Sequence, residues 1–267
     1  MHNLTYNFIM AGICNFNIVP VRFADSDKSE LVTQLLFGDT YLVTEESENK
    51  KWLRIIIDGD DYEGWIDKKL HSESDAKKSS SDINSNHFCS EIVGYLESEG
   101  NSRIIFFGSF LPTFDGEFVY IDNKRFAFKG KYKKTEKIMT PEPVIQTAKM
   151  FLETPYLWGG KSHAGIDCSG LVQIVFRSCG YQLKRDAWQQ ASMGLSVESL
   201  EKAKSGDLAF FSNDTGKITH VGILLNNSQI IHAHGKVRID NIDNTGIINS
   251  DSGLYSHKLN GIRKIIG

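Results

Sequence analysis

Cys168 stands between Asp167 and Ser169 in "GGKSHAGIDCSGLVQIVF", residues 159–176, where a glycine-rich loop gives way to an apolar helical pattern. Leu171, Val172, Ile174, Val175 and Cys179 recur at helical spacing, and Gly180 suits the position just past a helix end. The thiol of Cys168 therefore falls at about the first helical position, with Asp167 as N-cap. There the macrodipole and the unpaired amides favour a thiolate, and the same amides can donate to an oxyanion. Cys179 faces the core on this pattern and reads as packing.

A thiol nucleophile needs a base. "KITHVGILL" (217–225) and "SQIIHAHG" (228–235) are β-type runs that read as a hairpin. With the loop centred near Asn226, His220 and His232 face each other, their Cβ atoms about 5 Å apart. One ring can then take the thiol proton while the second, hydrogen-bonded behind it, holds its tautomer. His234 lies on the same face by period two and competes for the third place. A lone histidine is more often structural, but a cysteine at a helix start joined to a paired-histidine hairpin favours catalysis. Zinc on Cys168, His220 and His232 is the weaker reading, because no compact ligand motif supports it.

Three blocks must position these residues. At 267 residues, with 40% hydrophobic and 24% charged, the chain can bury a sizeable core and has room for two or three domains. Residues 15–70 carry short strand-like runs, "QLLFGDTYLVTEE", "KWLRIIID" and "YEGWIDKKL", broken by turn residues, as in a small antiparallel barrel. The polar stretch 71–86 reads as a linker or exposed loop. A second short-strand block runs to about residue 135, and "VYIDNKR" at 119–125 echoes "GWIDKKL" at 64–70, which suggests duplication. After Thr140, a possible N-cap, "TPEPVIQTAKMFLETP" places Val144, Ile145, Ala148, Phe151 and Leu152 on one stripe, so a helix opens a third domain.

Composition narrows the function classes. A net charge of -3 with interspersed signs argues against nucleic acid and membrane partners. Cys14, Cys89, Cys168 and Cys179 are too few and too scattered for a disulfide framework, so reduced thiols are expected. The N-terminal segment lacks a basic region and is interrupted by asparagines, so it does not read as an export signal. The expectation is a cytoplasmic protein if Met1 is the natural start, and a periplasmic or secreted one if a leader has been trimmed.

"YLWGGKSHAGIDCSGLVQIVF", "SGDLAFF", "THVGILL" and "IIHAHG" resemble the motifs of the NlpC/P60 cysteine peptidases. The resemblance implies an α+β papain-like catalytic domain at 139–267, with Cys168 as nucleophile, His220 as general base and His232 as its orienting residue. "VRFADSDKSELVTQLLFGDTYLV" and "DDYEGWIDKKL" resemble the first of the bacterial SH3 domains that precede the catalytic domain in γ-D-glutamyl-L-diamino acid endopeptidases. "FGSFLPTFDG" carries the second. Two all-β SH3-like barrels, at 1–75 and 76–138, are therefore expected.

That resemblance also implies a substrate, a murein peptide of the form L-Ala-γ-D-Glu-diamino acid, cut to release L-Ala-γ-D-Glu. Glu30 and Tyr62 match the positions that receive the free amine of L-Ala, and their chemistry suits an ammonium group. Trp158, Asp167 and Ser169 match the substrate-contacting positions of the catalytic domain. Ala187 departs from the pattern where a small polar residue is expected, and Arg185 is a candidate to compensate. No cofactor or metal is implied, since acyl transfer through a thioester needs none, and a monomer is expected. Two other classes stay open: a broader peptidoglycan hydrolase that uses the SH3 domains as wall anchors, and a non-catalytic peptide binder. The Cys168, His220, His232 set argues against the binder.

Overall fold

The computed structural model describes residues 10–74, 86–121 and 124–266. Residues 1–9, on which the reading of a leader rests, and 75–85 of the polar stretch lie outside them. The chain divides into two compact units, Met1–Thr135 and Glu136–Gly267. Among the described residues no helix is long and apolar enough to cross a membrane.

In the first unit, β1 (Met10–Ile13), β2 (Ile18–Arg22), β3 (Leu31–Leu36), β4 (Thr40–Glu46), β5 (Trp52–Ile57) and β6 (Glu63–Asp67) form one antiparallel sheet in the order β1-β4-β5-β6-β2-β3. Period-two alternation drives it: Val19, Val21, Leu53, Ile55, Ile57 and Ile66 all point inward and are buried together. Arg22 of β2 pairs with Leu31 of β3 on one side and with Trp65 of β6 on the other. Glu30 and Tyr62, which immediately precede those two strands, therefore lie at one end of the sheet. Glu30 is exposed and Tyr62 is half-buried against the barrel core.

The second block contains β7 (His87–Cys89), β8 (Val93–Ser98), β9 (Asn101–Phe106), β10 (Phe118–Ile121), β11 (Lys124–Lys129) and β12 (Tyr132–Lys134). Its sheets have four strands, β10-β11-β8-β9, and two, β12-β7. That order differs from the first sheet, and the Ile-Asp echo falls in different settings. Ile66 and Asp67 lead into a 3-10 turn at Lys68–Leu70, whereas Ile121 ends β10, with residues 122–123 outside the described set. Ile13 and Phe37 of the first block pack with Cys89, Leu96, Ile105 and Val119 of the second, so the blocks share a core.

The second unit opens with α1 (Glu142–Met150). Its first intrahelical bond runs from the Ile145 amide to the Pro141 carbonyl, and Thr140 does not cap it. Val144, Ile145, Ala148 and Phe151 are buried as expected, but the helix stops at Met150 and leaves Leu152 on the surface. A two-strand ribbon, β13 (Lys161–Ser162) and β14 (Gly165–Ile166), precedes α2 (Cys168–Ser178), which ends before Gly180 at φ +80°. A short helix, α3 (Ala187–Gln190), follows.

The remaining strands are β15 (Leu195–Val197), β16 (Leu208–Ser212), β17 (Ile218–Leu224), β18 (Gln229–His234), β19 (Lys236–Ile242), β20 (Gly246–Ile248) and β21 (Tyr255–Lys264). They run β15-β21-β16-β17-β18-β19-β20, and β21 also pairs with β20, closing the sheet on itself. Helix α2 packs across β17 and β18, which sets the start of the thiol helix against the histidine strands.

Candidate active site

The helix carrying Cys168 is anchored by charge at its first turn. Asp167 is extended at φ -95° and caps α2, its Oδ1 accepting from the Gly170 amide at 2.7 Å and its Oδ2 from the Gly159 amide at 2.8 Å. Arg185 grips the same carboxylate with two nitrogens, at 3.0 and 2.6 Å, and donates to Ser169 Oγ at 2.8 Å. Arg185 is 1% exposed. Such a pair persists in a dry interior because the fork geometry satisfies both charges at once. Gln190 completes the brace by donating to the Ser169 and Lys184 carbonyls.

This corrects the reading of Arg185 as compensation for Ala187. Its guanidinium is spent on Asp167 and Ser169, and Ala187 is itself buried in α3. The side chains of Asp167 and Ser169 also turn toward Arg185, and each residue is 6% exposed. Trp158, by contrast, is 58% exposed.

The histidine hairpin differs from the expected register by two residues. Ile223 pairs with Ile231 and Leu224 with Ile230, which carries Gly222, not His220, opposite His232. An even shift keeps the face, and the two rings still meet: His220 Nε2 lies 2.8 Å from His232 Nδ1. Gly222 makes this diagonal contact possible, because a Cβ there would stand 2.9 Å from the Cβ of His232 and 2.7 Å from Ile230 Cδ1. His234 is exposed, its ring 6.2 Å from that of His232, and the bond to His220 is made by His232.

Behind His232 stands a residue that the sequence reading missed. Asp240 Oδ2 lies 3.0 Å from His232 Nε2, and Oδ1 accepts from the Ser250 amide and hydroxyl at 3.0 and 2.6 Å. Arg238 Nε pairs with the same carboxylate at 2.9 Å. Burial alone would raise the Asp240 pKa, but the bonds from His232, Ser250 and Arg238 hold it well below the usual carboxylate range. The signal available was an acid at a buried position of the alternating strand "KVRIDNI".

An ionised Asp240 determines where the protons sit. It accepts, so His232 carries its proton on Nε2 and, being neutral, offers the Nδ1 lone pair forward. His220 must then donate from Nε2, which leaves its own Nδ1 as the free base. Burial, followed by the charges of His257, His232 and His234, pulls the His220 pKa well below its ordinary value. Burial also pushes the Cys168 thiol up to about 12, with Asp167 adding to it. The expected thiolate is thus not the resting state: desolvation outweighs the helix start, and thiol and imidazole rest neutral. Tyr156 is similarly shifted upward, by burial first and then by Cys168 and Asp167, which keeps a protonated phenol beside the thiol.

One nitrogen from each of His220, His232 and His257 lies within 4.8 Å of the others. Metal ligation requires the ion to lie in the plane of every ring, about 2 Å from each nitrogen. The His220 and His257 rings are stacked, with centroids 4.0 Å apart and planes at 22°. Planes so nearly parallel meet only about 10 Å from the rings, far beyond a zinc–nitrogen bond. The cluster is arranged for stacking and hydrogen bonding, and a metal would require one ring to turn.

Comparison with known proteins places the two units among known families. Residues 153–253 match the NlpC/P60 family, and residues 22–69 match the bacterial dipeptidyl-peptidase Sh3 domain. The chain is 31% identical over 250 residues to the gamma-D-glutamyl-L-lysine dipeptidyl-peptidase of Bacillus subtilis (strain 168), covering 87% of this chain and 78% of that protein. It is 27% identical over 248 residues to dipeptidyl-peptidase 6 of Lysinibacillus sphaericus, covering 83% and 88%. Its fold matches the crystal structure of an NlpC/P60 family protein from Bacillus cereus ATCC 10987 with a TM-score of 0.79 at 20% identity, over 96% of this chain and 100% of that one.

Two substitutions test the assignments. Asp240→Asn lets an amide donate to His232 Nε2, which reverses both tautomers and occupies the base nitrogen of His220. Alkylation of Cys168 by iodoacetamide at neutral pH should slow by about tenfold or more in the folded variant, which also gives up the Arg238 contact. Arg185→Met strands a buried Asp167 carboxylate and should cost about 3 to 5 kcal/mol in urea unfolding of the second unit. Adding Asp167→Asn, which keeps the cap and removes the charge, should restore a large part of that loss.

Proposed function

The chain belongs to the NlpC/P60 family, and from that premise we propose that it cuts the γ-D-Glu-L-diamino acid bond of free murein peptides with an unblocked L-Ala. The products are L-Ala-γ-D-Glu and the diamino acid end of the peptide. The observation that carries the chemistry is the Asp240–His232–His220 chain, which leaves His220 Nδ1 unprotonated for Cys168. The names of the relatives support the bond, and L-lysine, which stands in them, is the diamino acid to try first.

The reaction starts from a neutral pair. As Sγ attacks the carbonyl carbon, its proton passes to His220 Nδ1, and the π electrons of the C=O move onto oxygen. The Cys168 amide at the helix start and the Tyr156 phenol are the donors for that oxyanion. The His220 imidazolium then protonates the leaving amine, the C–N bond breaks, and a thioester remains. Water, deprotonated by His220, releases the dipeptide and restores the thiol. Throughout, His232 needs no net proton change, because Asp240 fixes it as a donor on one side and an acceptor on the other.

Specificity is assigned to two sets of residues. Glu30 and Tyr62 take the ammonium group of L-Ala, a carboxylate and a phenol being the partners such a group accepts. Trp158 supplies an exposed aromatic wall, and Asp167 and Ser169 act at the helix start that faces the γ-D-Glu residue. The wall-anchored hydrolase remains the competing reading, and amine recognition separates the two.

The test uses L-Ala-γ-D-Glu-L-Lys and its N-acetyl form, with products identified by mass. Wild type should cleave the free peptide and lose about tenfold to a hundredfold in kcat/KM on the acetylated one, the value of a charge-assisted hydrogen bond in a partly desolvated site. Glu30→Gln should lose a similar factor on the free peptide and discriminate less between the two, because both changes strike one interaction. Cys168→Ala should cleave neither and melt like wild type. Equal turnover of both peptides by wild type would instead support the wall hydrolase.

A further inference from the structure

His257 has no place in the proton relay, yet it lies closer to the general base than the other rings around it. Its centroid is 4.0 Å from that of His220, against 5.1 Å for His232 and 5.8 Å for Phe211. We propose that His257 is a positioning residue whose neutral ring, stacked on His220, fixes the tilt of the general base and shelters the imidazolium formed when Cys168 gives up its proton. The inference rests on the thiol-peptidase reading above and deepens it.

The hydrogen bond to His232 holds the His220 ring at one atom only. A five-membered ring held at one nitrogen can still tilt, and tilting re-aims the Nδ1 lone pair. A flat partner against its face removes that freedom. His257 supplies the partner and is itself clamped: edge-on to His232 at 5.8 Å and 87°, edge-on to His234 at 4.9 Å and 86°, and 5.9 Å from Phe211. Its Nδ1 lies 2.9 Å from Ser256 Oγ. His220 is 5% exposed whereas His257 is half-buried, so the stacked ring forms the more exposed layer.

Charge gives the second half of the argument. A positive ring against the face of an uncharged aromatic ring is attracted to it, and against a second positive ring it is repelled. The titratable groups facing His257 are His220 from β17, His232 and His234 from β18, and Asp240 from β19; Phe211 on β16 adds none. Burial first, then His232 and His234, hold the His257 pKa down to about 4, with Asp240 opposing. His257 is therefore neutral above that pH and ready to face an imidazolium. Below it, a proton on His257 opposes a proton on His220.

Alkylation of Cys168 by iodoacetamide reads this without any murein substrate: the S–C bond forms, iodide leaves, and the thiol proton passes to His220. His257→Ala removes the stack, and His257→Leu fills the space without a π face should the alanine variant fold poorly. Both should slow alkylation at neutral pH by about tenfold to a hundredfold. His257→Phe keeps a neutral face and should stay within about threefold of wild type. As pH falls through about 4, wild type should lose more rate than His257→Phe. Wild-type rates in folded His257→Ala or His257→Leu, equal losses in all three variants, or identical acid limbs in wild type and His257→Phe would each overturn the proposal. A protein that shows the predicted pattern yet leaves the tripeptide uncut refutes the substrate assignment alone.

Discussion

A carboxylate sealed behind the histidines sets the proton count of everything in front of it. Asp240 accepts from Ser250 twice and from His232 once, with Arg238 beside it, so it stays charged in a place that would otherwise reject charge. Each imidazole can hold one proton and lend one lone pair while neutral, and the chain of two passes that asymmetry forward without alteration. The lone pair that His220 offers from Nδ1 is thus specified from β19, two strands away from His220. Hydrogen bonds in series through a low-dielectric interior strengthen one another, which makes the arrangement stiff as well as directional.

Burial imposes the complementary limit. The same dryness that strengthens the relay penalises a resting thiolate and a resting imidazolium, so the reactive pair starts uncharged. The permanent ion pair near the thiol, Arg185 with Asp167, is placed where its net charge is close to zero and its geometry holds two loops to the start of α2. One charged pair supports the scaffold and one supports the tautomers; neither is asked to move during turnover.

How much of this was legible follows from how local each signal is. The Asp167 cap, the helix from Cys168 and the glycine past its end are readable because each depends on neighbours within one or two turns. The pairing of His220 with His232 was readable in parity but not in register, since "NNSQ" does not say where a four-residue turn is centred, and Gly222 gives its reason only once His232 is seen across from it. Asp240 left only the faint signal of an acid on an alternating strand and His257 left none, because each reaches the site through strand order, β18 beside β19 and β21 folding back to meet β16. Arg185 was misread because a basic residue near a substrate loop looks available until its partner at position 167 is located. The second β block kept its short strands but not the sheet order of the first, and a match of a few residues around Ile-Asp carries no information about strand order.

The return of β21 to β20 has a consequence for behaviour at high protein concentration. A sheet that ends in an open strand offers a row of unpaired amides and carbonyls to any neighbour, and so invites templated aggregation. Here strands β16 to β21 join in a ring among the described residues, and the side strand β15, Leu195–Val197, is three residues long. Leu195 is 70% exposed on that strand, a composition that would be hazardous in a longer edge. Brevity is its protection: three residues give an incoming chain too few ladder bonds to offset the cost of ordering it.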